Sequence, residues 1–71
     1  MYQVKCMYPN AVIETLSNAK TATRAKELVS IYRKQGQYYM GQKAVEYWYQ
    51  KADADIPDHI TRITEWLLNR G

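Results

Sequence analysis

The pattern of apolar positions is most regular in residues 18–35, where it has the period of a helix. Small and apolar side chains recur every three or four residues and fall on one arc of that helix: Ala22, Ala25, Leu28, Val29 and Tyr32. Asn18 or Ser17 can cap the free N–H groups at the start, and Gly36 suits the left-handed residue that follows many helices. The pattern therefore predicts an amphipathic helix over residues 18–35.

Residues 2–16 show the alternation of a β-strand instead. Two sets of side chains alternate in the first part, with Val4, Cys6 and Tyr8 on one face and Gln3, Lys5 and Met7 on the other. Pro9 and Asn10 favour a turn, and residues 11–16 follow with more β-branched side chains. We expect this segment to form a β-hairpin.

Residues 37–50 fit two patterns. As a hairpin, Gly41-Gln42 would form a two-residue turn of type II′ between strands 37–40 and 43–50. As a helix, the segment would present one apolar stripe made of Ala44, Val45, Trp48 and Ala52. The density of Tyr, Trp and Val favours the strands.

The last part of the chain predicts a second amphipathic helix. Residues 53–58 carry Asp and Pro where a helix start accepts them. Four apolar side chains then mark one helical face, flanked by His59 and Trp66: Ile56, Ile60, Ile63 and Leu67. Gly71 is expected to close this helix.

The elements combine into one domain, because 71 residues are too few for more. Each of two pseudo-halves, 1–36 and 37–71, consists of a hairpin followed by a helix. The main prediction is an α+β fold of order ββαββα, in which two hairpins form an antiparallel sheet and both helices pack on one face. The alternative is a mostly helical chain, in which the first hairpin is followed by three helices.

In the helical alternative, residues 31–38 and 44–52 resemble parts of a tetratricopeptide or Sel1-like repeat. The resemblance rests on the spacing of Tyr32, Gly36 and Tyr38, followed by an Ala- and Tyr-containing segment. It implies a pair of antiparallel helices. The connection between the two segments is longer than in those families. The chain also holds one such unit, whereas about three stacked units are needed to bury their faces.

Composition constrains the setting in which the chain works. A domain of this size buries only about 60% of its unfolded surface, so its core is marginal. Cys6 is the single cysteine, which excludes a disulfide within the chain and fits a reducing compartment. The first residues lack the pattern of a signal peptide, and no apolar run is long enough to cross a membrane. We expect a cytoplasmic protein without a membrane partner.

The residue types argue against catalysis. Cys6 and His59 occur once each, outside any known nucleophile motif, and zinc would need more Cys and His ligands. A calcium loop starting at Asp53 would need Gly where the chain has Asp58 and Glu where it has Thr64. Paired catalytic carboxylates and a glycine-rich phosphate loop are also missing. We expect a protein that is not an enzyme and needs neither cofactor nor metal.

The aromatic residues favour a binding function. The chain has seven Tyr and two Trp but no Phe, and Tyr and Trp are enriched where proteins meet partners. The main prediction is therefore a small regulatory or inhibitory protein that binds another protein, or a second copy of itself, through a Tyr/Trp-rich surface. The residues expected to contact the partner are Tyr38, Tyr39, Tyr47, Trp48 and Tyr49.

The charge distribution supports an alternative partner. Residues 1–36 carry six Lys/Arg against two Glu, hence +4, whereas residues 37–71 carry four against five Asp/Glu, hence −1. The positive face of helix 18–35 could neutralise nucleic-acid phosphates while Tyr side chains stack on unpaired bases. The candidate phosphate contacts are Lys20, Arg24, Lys26, Arg33 and Lys34.

Overall fold

A computed structural model describes residues 1–70; the expected helix end at Gly71 lies outside the described residues. Its elements confirm the predicted α+β class. They are, in chain order, β1 (Tyr2–Met7), β2 (Ile13–Ala19), α1 (Ala22–Gln35), β3 (Tyr38–Tyr39), β4 (Gln42–Lys43), β5 (Glu46–Lys51) and α2 (Asp58–Asn69).

The main sheet has three antiparallel strands in the order β2-β1-β5. The predicted first hairpin is present, and Val4 in the central strand pairs with Ser17 of β2 and Tyr49 of β5. The next residue of β1, Lys5, pairs with Thr15, so Leu16 is an extra residue that forms a β-bulge in the edge strand. β1 is therefore the strand around which both halves of the chain assemble.

The second hairpin differs from its prediction. It consists only of β3 and β4, and its turn residues are Met40 and Gly41, one position earlier than expected. Both have positive φ, 50° and 80°, as a type I′ turn requires. The following strand β5 pairs with β1 instead of continuing this hairpin. The helical alternative and the repeat resemblance are wrong for this segment, because residues 38–51 contain strands and no helix.

The first helix begins later than its apolar pattern suggested. β2 continues to Ala19, which pairs with Tyr2, so Asn18 belongs to a strand. Thr21 is the cap, and its Oγ1 accepts a hydrogen bond from the Arg24 amide at 3.2 Å. Pairing with the central strand thus decides the boundary between β2 and α1.

The two helices pack on opposite faces of the sheet, which differs from the expected arrangement on one face. Ala25 and Val29 of α1 share a buried cluster with Cys6 and Tyr47. On the other face, Ile60 of α2 forms a buried cluster with Met7 and Trp48. Successive strand residues point to opposite faces of the sheet, and Cys6 and Met7 are both fully buried. Each face therefore needs its own helix packed against it.

Candidate protein-binding surface

One end of the sheet carries most of the exposed apolar side chains, and we call it the apolar end. Here β1 finishes at Met7, while β2 and β5 begin at Ile13 and Glu46. The β3–β4 hairpin is held at this end, because the Val45 amide donates a hydrogen bond to the Met7 carbonyl at 2.8 Å. The hairpin therefore extends from the end of the central strand.

The tip of this hairpin is apolar and faces solvent. Met40 is 84% exposed and Tyr38 is 63% exposed. Val45, directly after the hairpin, is half exposed, and so is Val12 in the β1–β2 turn. Exposed apolar side chains that lie singly need no explanation, whereas a group of them at one end makes that end the candidate contact surface.

The second helix adds to the same end. Thr64 Oγ1 lies 3.0 Å from Met7 Sδ, and Leu67 packs against the buried Met7–Trp48–Ile60 cluster. The last turns of α2 therefore lie at the apolar end, where Trp66 and Leu68 are 61% and 66% exposed. The exposed side chains of the apolar end are Val12, Tyr38, Tyr39, Met40, Val45, Trp66 and Leu68.

Met40 occupies its position at a conformational cost. Its φ of 50° is in the left-handed region, where a residue with a Cβ is less stable by about 1–2 kcal/mol. Asn or Gly would suit this turn position better, and neither presents a long apolar side chain. Strain of this kind is concentrated at functional sites, so Met40 is the residue of the tip whose identity most needs a reason.

The predicted contact residues divide between this surface and the interior. Tyr38 and Tyr39 are exposed at the apolar end, as a binding role needs. Tyr47 and Trp48 are only 7% and 6% exposed, and they point into the two opposite cores. Tyr49 is half-buried, with its ring 6.0 Å from that of Tyr2 in an edge-to-face arrangement.

Hydrogen bonds explain how polar atoms of the two buried aromatics are accommodated. The Tyr47 hydroxyl accepts a bond from the Gln37 amide at 2.8 Å. Trp48 Nε1 donates to Gln50 Oε1 at 2.9 Å, and Gln50 Nε2 donates to the Ala54 carbonyl. The sequence did not predict that Tyr47 and Trp48 would both be buried. They are adjacent in β5 and point to opposite faces, and each face is covered by a helix from a different part of the chain.

Most of the apolar end was missing from the sequence-based site. Trp66 and Leu68 lie off the stripe of Ile60, Ile63 and Leu67, and that offset is the signal that could have identified them. Val12 and Met40 lie in turns, where apolar side chains are exposed unless another element covers them.

The candidate phosphate contacts on α1 do not converge on one place. All five are exposed, but Lys20 precedes the helix at the end of the sheet opposite to Arg33 and Lys34. Arg24 forms an ion pair with Glu27 at 3.0 Å. Arg33 Nη2 donates to the Tyr47 carbonyl at 3.2 Å, which holds this guanidinium beside β5, away from Lys20.

The buried polar groups of the α1 face have structural partners. The Tyr8 hydroxyl donates to Glu14 Oε1 at 3.3 Å. Burial raises the pKa of the Cys6 thiol, which keeps it in its unreactive protonated form at neutral pH. Within residues 1–70 there is no enclosed pocket and no group of Cys, His, Asp and Glu that could hold a metal ion.

Comparisons with models of known protein families, with curated proteins and with solved structures found no match to this chain. Among the helices of the described part of the chain, none is long and apolar enough to cross a membrane.

Proposed function

We propose that this chain is a small non-catalytic regulatory or inhibitory protein that binds another protein through its apolar end. The observation that supports this function most is the grouping of exposed Tyr, Trp, Met, Leu and Val side chains at one end of the sheet. Small monomers seldom expose such a group without a partner.

The size of the surface fits a protein partner. By side-chain size, the apolar end exposes several hundred Å² of largely apolar area. A standard interface buries roughly 800 Å² on each partner, so this surface with a polar rim would be of the right scale. Trp66 and Tyr38 are the residue types that most often dominate binding energy.

Contacts with the rest of the fold hold the hairpin in place, which favours binding. Its two-residue turn fixes Met40, and Tyr39 packs against the buried Tyr8 ring. Association then orders few additional backbone groups, so more of the contact energy remains as affinity.

Affinity capture with the immobilised chain tests the proposal. Met40→Asn and Tyr38→Ser remove exposed apolar surface without touching either core. Ile31→Ser is the matched control, because Ile31 is an exposed apolar residue on the outer side of α1. Proteins retained by the wild type and by Ile31→Ser should be lost with the two hairpin variants.

Self-association is measured in parallel by sedimentation equilibrium. A dimer that dissociates in Met40→Asn would identify the partner as a second copy of this chain. Retention that is equal in all variants would contradict the proposed surface.

A further inference from the structure

We infer that the partner presents an acidic rim around an apolar contact, an inference that rests on the proposed function. The two most exposed aromatic side chains of the apolar end each lie beside a cation. Arg70 Cζ is 5.3 Å from the centre of the Trp66 ring. A Cβ added to Gly36 would lie 3.2 Å from Lys43 Cε and 3.8 Å from Tyr38 Cε1. The Lys43 and Tyr38 side chains are therefore neighbours beside this glycine.

Further positive charge comes from the end of α1. Arg33 and Lys34 are in its last turn, just before Gly36, and both are exposed. The hydrogen bond from Arg33 to the Tyr47 carbonyl holds that guanidinium beside the start of β5. The hairpin, the end of α1 and the end of α2 thus surround the apolar side chains with Arg33, Lys34, Lys43 and Arg70.

The acidic groups at this end are fewer and are partly occupied. Glu14 and Glu46 are half-buried, and they accept hydrogen bonds from the Tyr8 hydroxyl and the Tyr47 amide. Glu65 of α2 is the exposed acid among the described residues near this end. Among the exposed charges of residues 1–70 at this end, four are cations and one, Glu65, is an acid, so the exposed part of the rim is predominantly positive.

The three aspartates, Asp53, Asp55 and Asp58, lie between the end of β5 and the first residue of α2. β5 runs from Glu46 at the apolar end to Lys51 at the other, where the Ala52 amide donates to the Met1 carbonyl at 3.0 Å. Asp53 and Asp55 follow directly, so they do not neutralise the rim. A partner with Asp and Glu around an apolar patch gains both in encounter rate and in selectivity from this arrangement.

A protein fits this surface better than other anionic partners do. Tyr38, Tyr39 and Trp66 could stack on bases, but the other four exposed side chains of the apolar end have no ring for stacking: Val12, Met40, Val45 and Leu68. A lipid surface usually receives the apolar face of an amphipathic helix, but Ile60, Ile63 and Leu67 of α2 face the sheet.

Selection from a phage-displayed random peptide library tests the inference, with wild-type protein and Met40→Asn panned in parallel. Peptides that bind the wild type in preference to Met40→Asn should be rich in Asp and Glu next to aromatic or aliphatic anchors. The dissociation constants of synthetic copies should rise several-fold between about 50 and 200 mM salt. Lys34→Glu and Lys43→Glu should each weaken them by about 3- to 10-fold.

Lys20→Glu is the matched control, because Lys20 is an exposed lysine at the opposite end of the sheet, and its effect should be smallest. Selected peptides that are neutral or basic but still depend on Met40 would overturn the acidic rim and leave the proposed function standing. No enrichment, or equal enrichment on Met40→Asn, would overturn the proposed function itself. Tighter binding of oligo(dT) or of phosphatidylserine vesicles than of any selected peptide would overturn both.

Discussion

The ring of Tyr39 packs against the ring of Tyr8, with their centres 5.4 Å apart and their planes inclined by 37°. Tyr8 is fully buried, whereas Tyr39 belongs to the short hairpin, so this contact joins the exposed tip to the α1-face core. Only two residue pairs form the β3–β4 ladder. A hairpin this short is not stable without such support.

Tyr39→Ala should therefore destabilise the fold by about 1–2 kcal/mol, since an aromatic pair contributes about 0.5–1.5 kcal/mol beyond its buried area. Amide hydrogen exchange in residues 38–43 should accelerate more than elsewhere. Tyr38→Ala is the control, because Tyr38 is more exposed and should change stability by about 0.5 kcal/mol or less. Equal exchange in both variants would refute the anchoring role of Tyr39.

Met40→Asn should stabilise the chain by up to about 1 kcal/mol, because Asn tolerates the positive φ of this turn position better than Met does. Urea unfolding measures the change. Gly41→Ala should destabilise by about 1–2 kcal/mol through its φ of 80° alone, because an added Cβ would meet no atom within 4 Å. A variant of Met40 that is more stable but no longer binds would separate folding from function.

Ile60→Ala should destabilise the protein by about 2–5 kcal/mol and loosen α2, because Ile60 is the fully buried residue of that helix. Loss of burial should shift Trp48 fluorescence to longer wavelength, measured with Trp66→Phe as the background. Ile60→Val, which costs about 0.5–1.5 kcal/mol, keeps the test informative if the alanine variant unfolds.

Leu68→Ala provides the contrast on the same helix. Its exposed side chain should contribute about 0.5 kcal/mol or less to stability. A large effect of Leu68 on unfolding would mean that it packs against the fold and is not available to a partner.

Alkaline pH should weaken the fold through Cys6 and Tyr8. Burial raises the pKa of both groups above their ordinary values of 9.0 and 10.0, so the folded chain keeps protons that the unfolded chain releases. Their contribution to stability is complete below 9.0 and falls as the pH rises through and beyond these values. The urea midpoint should decrease over that range, and less so in Cys6→Ala. A midpoint that is constant from neutral pH to 10.0 would contradict this.

Local patterns predicted the elements whose causes are local. The spacing of Ile56, Ile60, Ile63 and Leu67 identifies α2, and alternation around Cys6 identifies β1. Strand periodicity does not show whether β5 pairs with β1 or with the preceding hairpin. That choice depends on contacts with a distant part of the chain. The burial of Met7 could not be predicted for the same reason. The helix that covers it, α2, lies more than fifty residues later in the chain.

The candidate site was predicted only where exposure follows from the turn itself. Tyr38 and Tyr39 directly precede a tight turn and remain accessible. Tyr47 and Trp48 have the same residue types in a longer strand, and the fold covers both. The excess of Tyr and Trp predicted a binding surface. Which of these side chains are exposed and which are buried depends on how the helices pack against the sheet.

The bulge at Leu16 affects how molecules of this protein can associate. It interrupts the regular spacing of the β2 edge, and the Leu16 carbonyl already accepts a hydrogen bond from the Tyr32 hydroxyl at 3.4 Å. The β5 edge is likewise occupied at Tyr47 by Arg33 and Glu46. Both outer edges of the sheet are thus interrupted at one residue, which shortens the stretch available to a strand from a neighbouring molecule and opposes growth into fibrils. If the apolar end does bind a partner, as proposed, these interrupted edges favour a discrete complex over open-ended strand addition.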